Sequence, residues 1–245
     1  MRADEYRAMF ELEEQLWWYS GMRAITTSIL DRVIDRNQIK RVLDIGCGTG
    51  YSLQWLQEQF PLAQCVGVDV SRDAAAWWSS RRIDSAVLAS ADKLPFPSGV
   101  FDLVTCFDVI YQFDVRNAGT ACAEFARVLA PQGRLLIREP AYDWLRGAHD
   151  RAVSTVHRFT ARELKRLLEA AGLDILRTTY ANTLLFLPAV IHRMSATTRD
   201  ERSDVRAVSP VANGLLESLL KLEAWLVRRA NLPFGLSVIA LAVKK

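Results

Sequence analysis

Three glycines at alternate positions follow an acid at the end of an apolar run, in residues 41–50 (RVLDIGCGTG). Glycines in this place let the backbone turn sharply at the carboxyl end of a strand and approach a ligand closely. The acid, Asp44, would repel a bare phosphate group but suits an amino group. The segment therefore predicts a ligand-binding turn that favours a positively charged group over a phosphate.

A second apolar run, residues 65–68, ends in Asp69. A carboxylate at that point can accept hydrogen bonds from both hydroxyl groups of a ribose. A glycine turn, an acid suited to an ammonium group and an acid suited to a ribose together describe a site for S-adenosylmethionine (SAM).

Two later segments extend the pattern, ADKLPF at residues 91–96 and FDLV at residues 101–104. With these motifs the chain resembles the class I SAM-dependent methyltransferases, and most of all the small-molecule subgroup (methyltransferase type 11-like) with its Asp-x-Gly-x-Gly-x-Gly loop. The resemblance is close over roughly residues 40–140 and weaker towards both ends. The loop spacing differs from the Gly-x-Gly-x-x-Gly of nicotinamide-binding proteins.

The resemblance implies that SAM is the cofactor and S-adenosylhomocysteine (SAH) its product. In that family the acid after strand three contacts the adenine amino group, which corresponds to Asp92. Val70 would lie against the adenine ring, and Tyr19 would cover the cofactor from an N-terminal cap. Plain turn or helix-capping roles are the alternative for the glycines and acids. The expected cofactor-binding residues are Asp44, Gly46, Cys47, Gly48, Gly50, Asp69, Val70, Ala91, Asp92, Phe107 and Tyr19.

Methyl transfer from a sulfonium is an in-line displacement, so the protein must mainly align the reacting groups and exclude water. A base is needed only where the nucleophile arrives protonated. Many relatives carry Asp-Val-x-x-His after strand four, and here Gln112 takes the place of that histidine. Tyr111 is a candidate for a hydrogen bond to the substrate. His149 is the candidate general base because histidine titrates near neutral pH; a structural or solvated role is its alternative.

Aromatic residues supply the candidates for binding the methyl acceptor. Trp17 and Trp18, together with Tyr142 in a Pro-Ala-aromatic run, resemble relatives that act on lipid-linked or glycosylated substrates. Ser154, Thr155 and Phe159 depart from the later motif of those relatives, which weakens a direct transfer of their substrate. The tryptophans are expected to line an apolar pocket or to dock the cap onto the sheet.

Alternating apolar and amphipathic segments predict how these residues are positioned. Such alternation indicates a doubly wound α/β sheet of Rossmann type, and the resemblance adds a seventh, antiparallel final strand. Strands are expected near residues 41–45, 65–69, 85–90, 101–107, 133–138, 173–180 and 235–243, and helices near 21–35, 50–59, 72–82, 117–129, 160–171 and 210–230.

A single domain of 245 residues is expected. Its parts are a helical cap (1–38), a SAM-binding core (39–181), an insertion (182–234) and a final strand (235–245). The insertion would lie near the substrate entrance. Its second helix, with Leu215, Leu216, Leu219, Leu222 and Leu226, is expected to pack on the core or on a second copy of the chain.

Composition excludes several other classes of protein. The net charge of +3 is small, and the basic pairs Arg81-Arg82 and Arg228-Arg229 are interpreted as solvated surface, so no nucleic-acid partner is expected. The four cysteines lack metal-ligand spacing and are expected to be free thiols, which suits a reducing cytoplasm. No apolar run is long enough to span a bilayer, and no signal peptide is expected.

The sequence thus predicts a cytoplasmic SAM-dependent methyltransferase without a metal, acting on a small or mid-sized apolar or aromatic metabolite such as a natural-product intermediate. A sugar- or lipid-linked acceptor is the first alternative. A SAM-binding cyclase that transfers no methyl group and a noncatalytic binding subunit are the rivals from other classes. The accepting atom, the use of a general base and the oligomeric state are left open.

Overall fold

Seven β-strands form one sheet in this computed structural model, which describes residues 3–147, 150–151, 153–195 and 208–245. The strands in spatial order are β3-β2-β1-β4-β5-β7-β6. Their bounds are β1 Arg41–Ile45, β2 Gln64–Asp69, β3 Ala86–Leu88, β4 Phe101–Phe107, β5 Leu129–Pro140, β6 Leu173–Ala181 and β7 Ser237–Lys244.

The five strands β1 to β5 are parallel, and β7 runs antiparallel between β5 and β6. The predicted doubly wound sheet with an antiparallel final strand is therefore confirmed. The central strands are mostly apolar and are buried along almost their whole length, as expected for a sheet that is covered on both faces.

Eight α-helices cover the sheet within the described residues. Their bounds are α1 Ala3–Leu12, α2 Trp17–Leu30, α3 Tyr51–Gln59, α4 Arg72–Ala75, α5 Val115–Val128, α6 Ala161–Ala170, α7 Phe186–Ser195 and α8 Pro210–Arg229. The helix α6 begins with the predicted capping box, in which Thr160 and Glu163 bond reciprocally.

Two helix predictions need correction, and one further helix was not predicted. The helix expected at 21–35 is α2, which begins at Trp17 because Asn213 of α8 accepts a hydrogen bond from the Trp17 amide (2.9 Å). The helix expected at 72–82 ends at Ala75, and turns follow it up to Arg82, whose φ of 57° is left-handed. The apolar run near residue 186 forms a helix, α7, that the sequence analysis did not predict.

The insertion helix α8 packs along α2. Leu220, Ala224 and Val227 are its buried apolar residues, and Ser20 of α2 donates a hydrogen bond to Glu217 (2.7 Å). Packing on the core is therefore confirmed, although most of the leucines expected on that face lie elsewhere. The exposed apolar residues of α8 are Val211, Leu215, Leu219, Leu222 and Trp225. A homodimer through this helix stays a prediction.

The contact between α2 and α8 depends on Gly21. A Cβ atom there would lie 2.3 Å from Leu220 Cδ1, so Gly21→Ala is expected to lower the free energy of unfolding by about 1–3 kcal/mol through overpacking. Gly214→Ala is the matched control, because a Cβ at that helical position meets nothing within 4 Å and should raise stability by up to about 1 kcal/mol. Urea unfolding measures both, and equal stabilities for the two variants would contradict the close packing.

No helix among the described residues has the length and apolar character needed to cross a membrane. The same residues contain no cluster of histidine, cysteine and acidic side chains that could hold a metal ion. All four cysteines are buried free thiols, as predicted for Cys47, Cys65 and Cys106 from their positions in or beside core strands.

Candidate active site

A cavity of about 730 Å³ lies at the carboxyl ends of the central parallel strands, within the range of roughly 300–1,000 Å³ typical of small-molecule sites. We call the part of its lining formed by Gly46, Cys47, Gly48, Asp69, Val70 and Ala91 the glycine-loop half. We call the part formed by Trp17, Trp18, Leu185, Pro188, Leu216 and Leu236 the apolar half. The cavity therefore joins the predicted cofactor loop directly to residues of the cap and of the insertion.

The glycine loop turns immediately after β1. Gly46 has a left-handed φ of 76°, and a Cβ atom there would lie 2.2 Å from Val109 Cγ2. The amides of Gly46 and Cys47 both donate to the carbonyl of Val68 (2.8 and 3.0 Å), so the loop is tied to β2. Gly50 lies behind the cavity and is the N-cap of α3. The sequence needs glycine at residue 46 because no side chain fits against the segment that follows β4.

Asp69 ends β2 and lines the cavity with 7% of its surface exposed. Its Oδ2 accepts from the Gly48 amide (2.9 Å) and its Oδ1 from the Ser71 amide (2.8 Å). Burial raises the pKa of this carboxyl, and the backbone hydrogen bonds oppose the shift. Both oxygens are thereby fixed in orientation, and each keeps a lone pair for a further donor.

The other two predicted acids lie outside the cavity lining. Asp44 is 1% exposed and accepts from Ser52 Oγ (2.5 Å) and Thr105 Oγ1 (2.8 Å). Burial raises its pKa to about 6 despite these bonds. Asp92 accepts from Ser90 Oγ (2.5 Å), while its neighbour Ala91 does line the cavity. Contacts of Asp44 with an ammonium group and of Asp92 with adenine stay predictions.

The helix α1, part of the helical cap expected at residues 1–38, forms a roof over the glycine-loop half. Tyr6, Met9 and Glu13 line the same cavity as Gly48, and a Cβ atom at Gly48 would lie 2.9 Å from Met9 Cε. Burial raises the pKa of Tyr6 to about 12, with a smaller contribution from the charge of Asp69. These contacts place α1 directly beside the predicted cofactor loop.

The roof is fastened by a buried ion pair. Arg81 Nη2 donates to Glu13 Oε1 (2.8 Å), and both side chains are 5% exposed. Thr49 of the glycine loop donates to the same Glu13 oxygen. Burial raises the pKa of Glu13 to about 7, although Thr49 and Arg81 lower it. The interpretation of Arg81-Arg82 as solvated surface is therefore wrong for Arg81, whose carboxylate partner lies far away along the chain.

The aromatic candidates separate into two groups. Trp17, Trp18 and Tyr19 line the cavity, whereas Tyr142 is not among its lining residues. Tyr142 has a left-handed φ of 62° and stacks on Tyr180 with ring centroids 5.3 Å apart. Substrate contact by Trp17 and Trp18 suits their positions and stays a prediction, while Tyr142 would need a rearrangement to reach an acceptor in the cavity.

The segment after β4 is held by a buried carboxylate that the sequence analysis did not single out. Glu139 is 0% exposed, and it accepts from the amides of Val109 (3.2 Å), Ile110 (3.0 Å) and Tyr111 (3.1 Å). Burial raises the pKa of Glu139 well above its ordinary value. The available signal was a glutamate within the same strand as the apolar residues 135–137, one residue beyond Arg138, because a buried acid needs such partners.

The catalytic candidates are only partly brought together. Tyr111 and Gln112 both line the cavity, and Gln112 Nε2 donates to the Tyr111 hydroxyl (3.2 Å) and to the Val153 carbonyl (3.3 Å). His149 lies outside the described residues. Its neighbour Asp150 does line the cavity and forms a buried, two-bond ion pair with Arg158 (2.7 and 3.0 Å).

Comparisons with known proteins point in the same direction as this geometry. Residues 19–178, more than half of the chain, match the sequence model of a family described as methyltransferase domain. The chain is 32% identical over 130 residues to a malonyl-(acyl-carrier protein) O-methyltransferase of Legionella pneumophila, which covers 48% of this chain and 44% of the relative. It is 38% identical over 109 residues to a demethylmenaquinone methyltransferase of Thermus thermophilus, which covers 41% and 47%. The chain thus spans less than half of the length of these curated relatives.

Among solved structures, the fold is similar to that of the (4+2)-cyclase SpnF. The TM-score is 0.58 at 21% sequence identity, and the match covers 91% of this chain and 80% of the other. At this identity the likeness concerns the fold.

Proposed function

Because the chain belongs to the methyltransferase-domain family of SAM-dependent enzymes, we propose that it transfers a methyl group from SAM to a small or mid-sized metabolite by in-line displacement. The observation that carries this proposal is the single cavity that connects Asp69 and the glycine loop to an apolar half. A cofactor and an acceptor bound in the two halves would meet where the segment after β4 lines the cavity, at Val109 and Tyr111.

The residues present fit the cofactor. Asp69 presents two oriented carboxylate oxygens to the cavity, as a ribose diol requires. Gly48, Val70 and Ala91 lie in the same lining. SAM, when bound, supplies a methyl group on an electron-deficient sulfur. The protein's own part is to orient the acceptor and to exclude water with the roof helix α1 and the insertion.

The acceptor is proposed to be a mid-sized apolar or aromatic molecule such as a natural-product intermediate. Support comes from the apolar lining contributed by Trp17, Trp18 and the insertion residues Leu185, Pro188 and Leu216. The two named relatives act on a carrier-protein-bound malonyl group and on demethylmenaquinone, so the family accommodates different acceptors. His149 as general base, and Tyr111 and Gln112 as acceptor contacts, are part of this proposal.

A SAM-binding cyclase is the second candidate. The fold similarity to the SpnF cyclase and the glutamine at residue 112, in place of the histidine of many relatives, favour it. The two functions differ in one product, since methyl transfer releases SAH and cyclisation does not. Detection of SAH during turnover, in step with the methylated acceptor, would exclude the cyclase.

Calorimetric titration of the ligand-free protein with SAM, SAH and NAD tests the cofactor assignment. We expect micromolar affinity for both sulfur ligands and no binding of NAD. Failure of SAM and SAH to bind would overturn the proposed function and would favour a noncatalytic binding subunit.

The affinity for SAH is expected to rise between about pH 5 and pH 7. Burial raises the pKa of Asp44 to about 6. The hydrogen bonds from Ser52 and Thr105 lower this pKa, but by less than burial raises it. The charge of Asp69 also raises it, and the charge of Arg138 lowers it. Only the ionised form of Asp44 attracts the ammonium group. The ligand-free protein should lose stability as the pH rises from about 4 to about 6, since the native state binds this proton more tightly than the unfolded chain over that range.

Calorimetry across this pH range checks the Asp44 prediction, with Asp44→Asn as the comparison. The variant should bind SAH with an affinity that changes less with pH. An unaltered pH profile in Asp44→Asn would show that the carboxyl does not face the ammonium group.

A further inference from the structure

Arg138 near the end of β5 has an unusual environment within the cavity. Its guanidinium carbon lies 5.2 Å from the ring centroid of Trp18 and 5.1 Å from that of Phe107. Its Nε donates to Asp108 Oδ2 (3.0 Å), and its Nη2 bonds to the same oxygen. The guanidinium is therefore fixed in position by one carboxylate and two aromatic rings.

Asp108 is itself held in place. It follows β4 with a left-handed φ of 57°, which is uncommon for a residue with a side chain. Its amide donates to the Arg138 carbonyl (2.8 Å), so the ends of β4 and β5 are joined through both backbone and side chains. Backbone strain of this kind is tolerated where the surrounding structure fixes a functional group.

One edge of the Arg138 guanidinium is available to a ligand. Within the described residues, Nη1 has no hydrogen-bond partner, and it is not among the buried polar atoms sealed from solvent. Arg158 in the same cavity differs, because Asp150 and the Ala141 carbonyl engage all three of its nitrogens. Arg138 lines the cavity, and its outer edge, formed by Nη1 and the second hydrogen of Nη2, is free to accept a ligand.

From this geometry we propose that Arg138 binds a carboxylate group of the methyl acceptor. A guanidinium edge matches a carboxylate with two parallel hydrogen bonds. The nearby rings of Trp18 and Phe107 and the apolar half of the cavity favour an organic acid with a planar or apolar body over a hydrated inorganic anion. Arg138 is then a specificity-determining residue, and this inference rests on the proposed methyltransferase function.

Binding of matched probe pairs to the SAH-saturated protein tests the inference. The probes are benzoate, naphthalene-2-carboxylate and decanoate, each compared with its neutral amide by calorimetry or saturation-transfer NMR. We expect the wild-type protein to bind at least one carboxylate about 10- to 100-fold more tightly than its amide, the factor expected for hydrogen bonds to a charged group. Arg138→Gln should abolish this preference and leave SAH affinity unchanged at about pH 8, where Asp44, whose pKa is about 6, stays ionised without the charge of Arg138.

Two controls separate the role of Arg138 from general effects. Arg134→Gln makes the same change on the same strand outside the cavity lining and should keep the preference. The double variant Asp108→Asn/Arg138→Gln avoids an unpaired carboxylate and should lose the preference as the single variant does.

The outcomes distinguish the two proposals. Absence of SAH binding to the wild-type protein would overturn the proposed function. Normal SAH binding with no carboxylate preference in any pair would overturn the inference alone. If the preference for the carboxylate persists in Arg138→Gln, another residue binds the carboxylate, and the assignment of this role to Arg138 is wrong.

Discussion

Glu139→Ala is expected to lower the free energy of unfolding by about 3–5 kcal/mol. The carboxylate is fully buried and accepts hydrogen bonds from three consecutive amides, those of Val109, Ile110 and Tyr111. Each buried donor left without a partner costs about 1–3 kcal/mol, and the deleted side chain adds a void. Equilibrium unfolding in urea measures the change, and acceptor binding should weaken as well because this segment lines the cavity.

Glu139→Gln is the matched control for this prediction. The glutamine side chain keeps the volume and one oxygen acceptor. Its NH₂ group replaces the second oxygen and cannot accept a hydrogen bond from the backbone amides. Its loss of stability should lie between those of wild type and alanine. If Glu139→Ala unfolds at the wild-type urea concentration, the segment after β4 is not held by this carboxylate.

Asp69→Ala is expected to weaken SAM and SAH binding by about 1.5–3 kcal/mol, or roughly 10- to 100-fold, because it removes charged acceptors of ribose hydrogen bonds. The Asp69 side chain is already oriented by the amides of Gly48 and Ser71. It therefore loses little conformational entropy when the ligand binds. Calorimetric titration of the folded variant measures the loss.

Asp73→Ala controls for the loss of a negative charge nearby. Asp73 lies in α4 and is not part of the cavity lining, so its removal should leave the affinity within a small factor of wild type. Because Asp69 also binds two backbone amides, urea unfolding must show that the variant remains folded at the titration temperature. Affinity close to wild type in Asp69→Ala would overturn the ribose assignment.

The fold and the glycine-loop half could be predicted because their signals are local. A strand, an acid and alternating glycines occupy consecutive positions, and Asp69 ends the next apolar run. The buried strands β1, β4 and β7 are mostly apolar, with Asp44 and Asp102 as interruptions, so their strand character follows from the pattern alone. The antiparallel direction of β7 came from resemblance to a family.

The rest of the site could not be predicted because it depends on distant pairs. Glu13 and Arg81 are 68 positions apart, and nothing near Arg81 in the sequence indicates a buried partner. The start of α2 is set by Asn213, 196 positions away. The buried face of α8 was predicted wrongly from the spacing of its leucines. The face that packs against Gly21 is centred on Leu220, and Leu215, Leu219 and Leu222 are exposed. Such contacts exist only once the tertiary structure has formed.

The position of β7 also constrains the order of events during synthesis. This strand, near the end of the sequence, lies between β5 and β6 and pairs with both. A nascent chain that ends after β6 therefore lacks the strand that attaches β6 to the sheet. In the same way, α2 has no packing partner until α8 has been synthesised. Domains that depend on such late, long-range pairing fold slowly and expose unpaired edges meanwhile. The ribosome must thus release β7 before the sheet can close, and until then the edges of β5 and β6 that face β7 stay unpaired.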